Sequence, residues 1–125
     1  MASIYHPLNT DLKLFRNEFE NLLQTVTGKN TNCVLAGNYN INLLNQTNSD
    51  TTHFIDMLYT YSVPPEIKTP TRYGEHGMTF IDNNFTNKLS GSSFSGVILN
   101  DLSDHLPIFY VIGNYTVKHK MSYNK

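Results

Sequence analysis

Apolar residues recur along the chain in two helical stripes set among short extended runs. From Leu12 onward, Phe15, Phe19, Leu22, Leu23 and Val26 follow at steps of three and four, which places them on one face of an α-helix. Lys13, Arg16, Asn17 and Glu20 fall on the other face. His6-Pro7-Leu8-Asn9 reads as a turn, with Asn9 or Thr10 positioned to cap this helix and Gly28 to end it. A second stripe, Phe54, Ile55, Leu58 and Tyr61, predicts a helix over Asp50–Tyr61, capped by Asp50 or Thr51 and ended by Pro64-Pro65. Between the helices, Cys33–Gly37 is a short apolar run ending in glycine, the pattern of a buried central strand. Ile4-Tyr5 reads as the end of an earlier strand. Met78–Phe85 alternates as a strand does, Ser90–Ser95 reads as a Gly/Ser turn, and Val97–Leu99 and Leu106–Ile112 read as strands. The order β-α-β-α-β-β-β predicts a layered α/β fold.

A chain of 125 residues allows one domain with a modest core. With 39% hydrophobic and 15% charged residues, the composition is too apolar for a disordered chain. Net charge is −1 and the 9 Lys and Arg residues are scattered, so no basic field draws the chain onto nucleic acid. The single cysteine, Cys33, excludes an intrachain disulfide and lies in an apolar run as a core residue would. The first residues lack a signal-peptide pattern, and no apolar run is long enough to span a bilayer. An intracellular protein, nuclear or cytoplasmic, with no membrane partner is the expectation. The glycosylation patterns at Asn45, Asn84 and Asn114 read as accidents of an Asn-rich chain.

Four segments carry candidate chemistry. Gly37-Asn38-Tyr39-Asn40 follows the buried strand, where α/β folds place ligand-contacting groups; the plain alternative is an Asn-rich turn. Asp82 lies in the apolar strand Thr79-Phe80-Ile81-Asp82. If buried, it requires a partner; otherwise it faces solvent. Ser103-Asp104-His105-Leu106-Pro107 precedes the last strand, and adjacent Asp104 and His105 point to opposite sides on extended backbone. His105 suits acid–base work and Asp104 a hard cation, unless the segment is simply a polar turn. Tyr5 is either a phosphate-contacting hydroxyl or a half-buried aromatic.

Taken in order, Ile4-Tyr5-His6-Pro7-Leu8-Asn9, Gly37-Asn38-Tyr39-Asn40, Pro70-Thr71-Arg72, Thr79-Phe80-Ile81-Asp82-Asn83-Asn84-Phe85 and Ser103-Asp104-His105-Leu106-Pro107 resemble the endonuclease domain of LINE-type (non-LTR) retrotransposons. That domain is similar to the apurinic/apyrimidinic endonucleases of the endonuclease/exonuclease/phosphatase superfamily. The resemblance covers residues 1–113 and leaves 114–125 as a tail. It implies the C-terminal half of a four-layered α/β sandwich. It also implies hydrolysis of a DNA phosphodiester with Mg²⁺ or Mn²⁺. By resemblance, His105 contacts the phosphate or acts as acid and base, held by Asp82. Asp104 belongs to the metal environment, Asn40 positions the phosphate or attacking water, Tyr5 contacts the phosphate, and Asn38 falls at a catalytic position.

The sequence departs from that family in three ways. Asn38 stands where the family has aspartate, and a carboxamide cannot accept the proton of an attacking water. The segment begins just before Tyr5, so the family's metal-binding glutamate is not represented. His6, Leu8, Tyr39 and Asn84 replace arginine, proline, phenylalanine and an apolar residue; a polar Asn84 in a strand implies relaxed packing. The expectation is therefore an endonuclease-like domain with little nicking activity alone. It would be paired with a complementing N-terminal half or a second copy of itself through an apolar sheet face left uncovered, or be only marginally stable. The competing expectations are an enzyme restored by that half, and a non-catalytic binding module.

Overall fold

The computed structural model describes residues 1–29, 32–87 and 93–112. These form β1 (Ala2–Tyr5), α1 (Leu12–Gly28), β2 (Val34–Asn38), α2 (Ser49–Thr60), β3 (Arg72–Gly74), β4 (Gly77–Thr79), β5 (Asp82–Thr86), β6 (Ser93–Val97) and β7 (Ile108–Ile112). Helices and mixed or antiparallel strands combine, so the chain is of the α/β class. The proposed tail, 114–125, and the Ser90–Ser92 part of the expected turn lie outside the described residues.

Both helices start one or more residues away from their expected caps. Asp11, not Asn9 or Thr10, caps α1 by accepting from the Lys13 and Leu14 amides. Asn9 instead adopts φ 64°, and the Thr10 hydroxyl lies against the His6 ring and the Pro7 carbonyl at 2.7 and 2.8 Å. Asn48, ahead of Asp50, caps α2 in the same way. That helix stops before Pro64-Pro65. Ser62 turns to φ 56°, and the Val63 amide reaches back to the Leu58 carbonyl at 2.9 Å, closing the helix end.

The central sheet has the order β1-β2-β5, with β1 parallel to β2 and β5 antiparallel to it. Gly37 belongs inside β2, where a Cβ would stand 1.8 Å from the Ile4 carbonyl oxygen. Its role is the close approach of β1, rather than a sharp exit from the sheet. Helix α1 connects β1 to β2, and both helices pack on one face of the sheet. There Phe19, Leu23, Tyr39, Phe54, Leu58 and Phe85 form the core with Leu35. Cys33 is buried in the same cluster, as its apolar run predicts.

The expected strand Met78–Phe85 is broken. β4 closes a hairpin with β3 around Gly77, at φ 117°. Phe80 and Ile81 then bond through their carbonyls to the Leu43 and Tyr39 amides. β5 begins only at Asp82 because the chain changes strand partners across those two residues. β6 is also shifted: Ser93–Val97 pairs with β7, while Ile98 and Leu99 lie beyond it. Phe109 packs where a Cβ on Gly96 would stand, 2.9 Å away, so the glycine admits the ring. Asn84 is buried and donates to the Phe109 carbonyl at 3.0 Å. It ties the β6–β7 hairpin to the sheet, so its polarity serves a hydrogen bond rather than relaxed packing.

The sheet face away from the helices is mainly polar: strand alternation places Ser3, Asn38, Asp82, Asn84 and Thr86 on it, together with Tyr5, Val34 and Ala36. The approach to β7 covers part of this face.

Candidate active site

Asp82 opens β5 in register with Asn38, which closes β2. Both therefore stand at one end of the central strand pair, on the polar face. Across from them runs Leu106-Pro107-Ile108. A cleft of about 400 Å³ lies between, lined by Ser3, Ala36, Gly37, Asn38, Asp82 and His105 on its working side.

The expected partner of a buried Asp82 is present. His105 Nδ1 lies 3.2 Å from Asp82 Oδ2, and the Thr71 hydroxyl donates to the same oxygen at 2.8 Å. Thr71 is wholly buried, and its hydroxyl oxygen accepts from the Asp82 amide at 3.0 Å. The threonine is thus fixed by backbone before it contacts the carboxylate. Because a carboxylate only accepts, Nδ1 carries the proton in this contact, and Nε2 is the nitrogen left for a ligand. The loop bearing His105 is held in turn: the Leu106 amide donates to the Thr71 carbonyl at 2.7 Å, and the Tyr73 amide to the Asp104 carbonyl at 2.9 Å. A Thr71–Asp82–His105 relay can aim an imidazole at a substrate.

The remaining candidates fall in other places. Asn40 does not line the cleft. At φ 49° it turns back, and its carboxamide donates to the His6 carbonyl at 2.5 Å. Its amide donates to Asn38 Oδ1 at 3.0 Å. Tyr5 pairs in register with Asn38 and is 68% exposed at the end of β1, beside the cleft rather than in it. Asp104 points away from His105, as alternation requires, and accepts from Arg72 Nε at 2.8 Å on the surface. That hydrogen bond, together with the charges of Arg72 and His105, holds its carboxyl below the ordinary carboxylate range.

His6 is a structural histidine. It is buried, stacks on Phe15 at 4.1 Å, and its Nδ1 donates to the Tyr39 carbonyl at 2.8 Å. Tyr39 is buried in the core, its hydroxyl donates to the Leu35 carbonyl, and burial pushes its phenol well up. Sequence reading missed the roles of Thr71 and Arg72, although Pro70-Thr71-Arg72 was visible as a motif. Nothing in the sequence marked Ser3.

A divalent cation does not fit the donors present. Mg²⁺ or Mn²⁺ requires several oxygen acceptors around one point. The cleft offers one carboxylate, already engaged by Thr71 and His105, while Asp104 faces elsewhere and is neutralised by Arg72. Among the described residues, no group of His, Cys, Asp and Glu side chains is placed to hold a metal. Among them, too, no helix is long and apolar enough to cross a membrane.

The fold and the cleft define an α/β protein with a carboxylate–imidazole site at the edge of a mixed sheet. The chain has no match among known protein families, curated proteins or solved structures.

Proposed function

We propose that this chain is the C-terminal half of an endonuclease/exonuclease/phosphatase domain of retrotransposon origin, one that holds a DNA phosphodiester without hydrolysing it alone. The observation that carries this reading is the Thr71–Asp82–His105 relay opening on the same cleft as Asn38. The order of the motifs along the chain supports the family. A mixed sheet with helices on one face supports one half of a four-layered sandwich. Hydrolysis requires an activated water, and Asn38 has no basic oxygen to accept its proton. The oxygen ligands for Mg²⁺ or Mn²⁺ are assigned to a complementing N-terminal half.

The test is nicking of supercoiled plasmid in Mg²⁺ and Mn²⁺. The chain alone is expected to leave the plasmid intact, and His105→Ala to behave identically. Metal-dependent nicking that disappears in His105→Ala would overturn the inactive reading. A second reading, an assembly module, is favoured by the apolar side chains that the β6–β7 hairpin leaves exposed: Phe94, Val111 and Ile112. Light scattering decides it: a monomer at micromolar concentration removes self-assembly.

A further inference from the structure

Beside the Asp82 carboxylate, the cleft is lined by Asn38, Ser3 and His105, each able to donate, which suits an anion better than a cation. Asn38 shows this most clearly. Its Oδ1 accepts from the Asn40 amide at 3.0 Å. A backbone amide only donates, so that arm of the carboxamide is the oxygen and Nδ2 is the arm left over. Asn38 lines the cleft, and Nδ2 is the side-chain arm with no partner among the described residues. Ser3 brings a hydroxyl to the same wall from β1. His105 brings the nitrogen not engaged by Asp82. The one carboxylate is shielded: its side chain is 11% exposed and is contacted by Thr71 and His105.

Resting on the reading of this cleft as a phosphodiester site, we propose that it binds a phosphodiester monoanion directly, without a divalent cation. Asn38 Nδ2 and Ser3 Oγ donate to the non-bridging oxygens. His105, as imidazolium, bridges Asp82 and the anion through its two ring nitrogens. Asn38 determines this specificity. A carboxylate in its place would still accept from the Asn40 amide, but would turn its second oxygen, an acceptor, toward the ligand. It would also set a second negative charge beside Asp82, its cross-strand neighbour. A cation would then be needed to bring a phosphodiester in.

The experiment titrates the ¹⁵N-labelled chain with thymidylyl-thymidine, once in EDTA and once in Mg²⁺. Dissociation constants within about twofold of each other are expected, with shifts at the Asn38 side-chain amide. Asn38→Asp is expected to bind about tenfold or more weakly in EDTA and to recover in Mg²⁺. Since paired carboxylates can unfold the sheet end, Asn38→Ala serves as a second variant, weakened equally in both buffers. Wild-type binding confined to Mg²⁺ overturns the metal-free site but leaves the phosphodiester reading standing. Binding in neither buffer overturns both. Full-strength binding by Asn38→Ala overturns the assignment of Asn38 as donor.

Discussion

On the helix side of the sheet, Leu35 and Phe85 meet rings and aliphatic chains from α1 and α2. On the other side, Asp82 and Asn84 meet a loop and a hairpin through hydrogen bonds. Phe19, Tyr39, Phe54 and Phe85 lie with ring centroids 4.5–6.3 Å apart, a range typical of packed aromatic side chains. That side is held by area and tolerates no gap. The polar side is held by a few directional bonds, each able to fail separately. It is also where the Thr71–Asp82–His105 relay stands. The difference teaches that stability and chemistry occupy opposite faces of the same three strands, so substitutions should separate them.

The largest separation comes from Phe85→Ala. Phe85 is fully buried at the centre of the rings, and its removal is expected to lower stability by about 3–5 kcal/mol in urea unfolding. A loss under about 1 kcal/mol would mean that the helix side is not the main source of stability. Thr71→Val tests the polar side. Valine has the shape of threonine but removes the partner of the Asp82 amide and leaves the carboxylate with His105 alone. A loss of roughly 1–3 kcal/mol is expected, with the His105 ring resonances broadened or displaced. Wild-type ring shifts in a folded Thr71→Val chain would show that the relay does not position His105.

The two sides also differed in how far the sequence revealed them. The helix stripes were legible because burial on one face imposes a period, and Phe15, Phe19, Leu23, Phe54 and Leu58 obey it. The polar side has no period. Asp82 and His105 lie 23 residues apart, and only the fold brings them together. Thr71 acts through a hydrogen bond that composition cannot signal. The strand Met78–Phe85 was misread because strand-forming residues continue through Phe80-Ile81 although the chain changes partners there. Asn84 appeared a flaw in an apolar strand because its acceptor, the Phe109 carbonyl, is remote in sequence. Helix caps were missed by one or two residues because several Asn, Asp and Thr side chains compete near each end. Asn38 and Asn40 face different ways for a local reason: the turn to φ 49° at Asn40 swings its carboxamide toward His6.

A smaller effect sharpens the polar side further. The hydroxyls of Ser93, Ser95 and Tyr110 are buried and meet no hydrogen-bond partner among the described residues. Ser95 and Tyr110 are cross-strand neighbours, so the hairpin turns unpaired oxygen inward. Tyr110→Phe removes one such group without changing shape. Thermal unfolding is expected to show unchanged or greater stability, by up to roughly 1 kcal/mol. A clear loss would show that the hydroxyl is hydrogen-bonded in solution, and that the hairpin is bound more firmly than its contacts suggest.

The smallest effect concerns the surface pair beside the site. Asp104 has a carboxyl depressed below its ordinary value of 3.8, chiefly through the Arg72 hydrogen bond. For a carboxyl whose pKa is lower in the folded state, the stabilising contribution is present above the unfolded value. It is lost as pH falls through the folded one. The window therefore lies on the acid side, below about pH 4. Because Asp104 is exposed, water and salt screen the pair, and the effect on unfolding is expected to be near the limit of detection. The titration itself is the sensitive readout. In Arg72→Gln, the Asp104 carboxyl resonance should titrate closer to the ordinary carboxylate value, and raising salt should move the wild-type value the same way. An Asp104 midpoint unchanged in Arg72→Gln would show that the pair does not form in solution. The loop carrying His105 would then be held without that pair, by the Leu106–Thr71 and Tyr73–Asp104 backbone bonds and the His105–Asp82 contact.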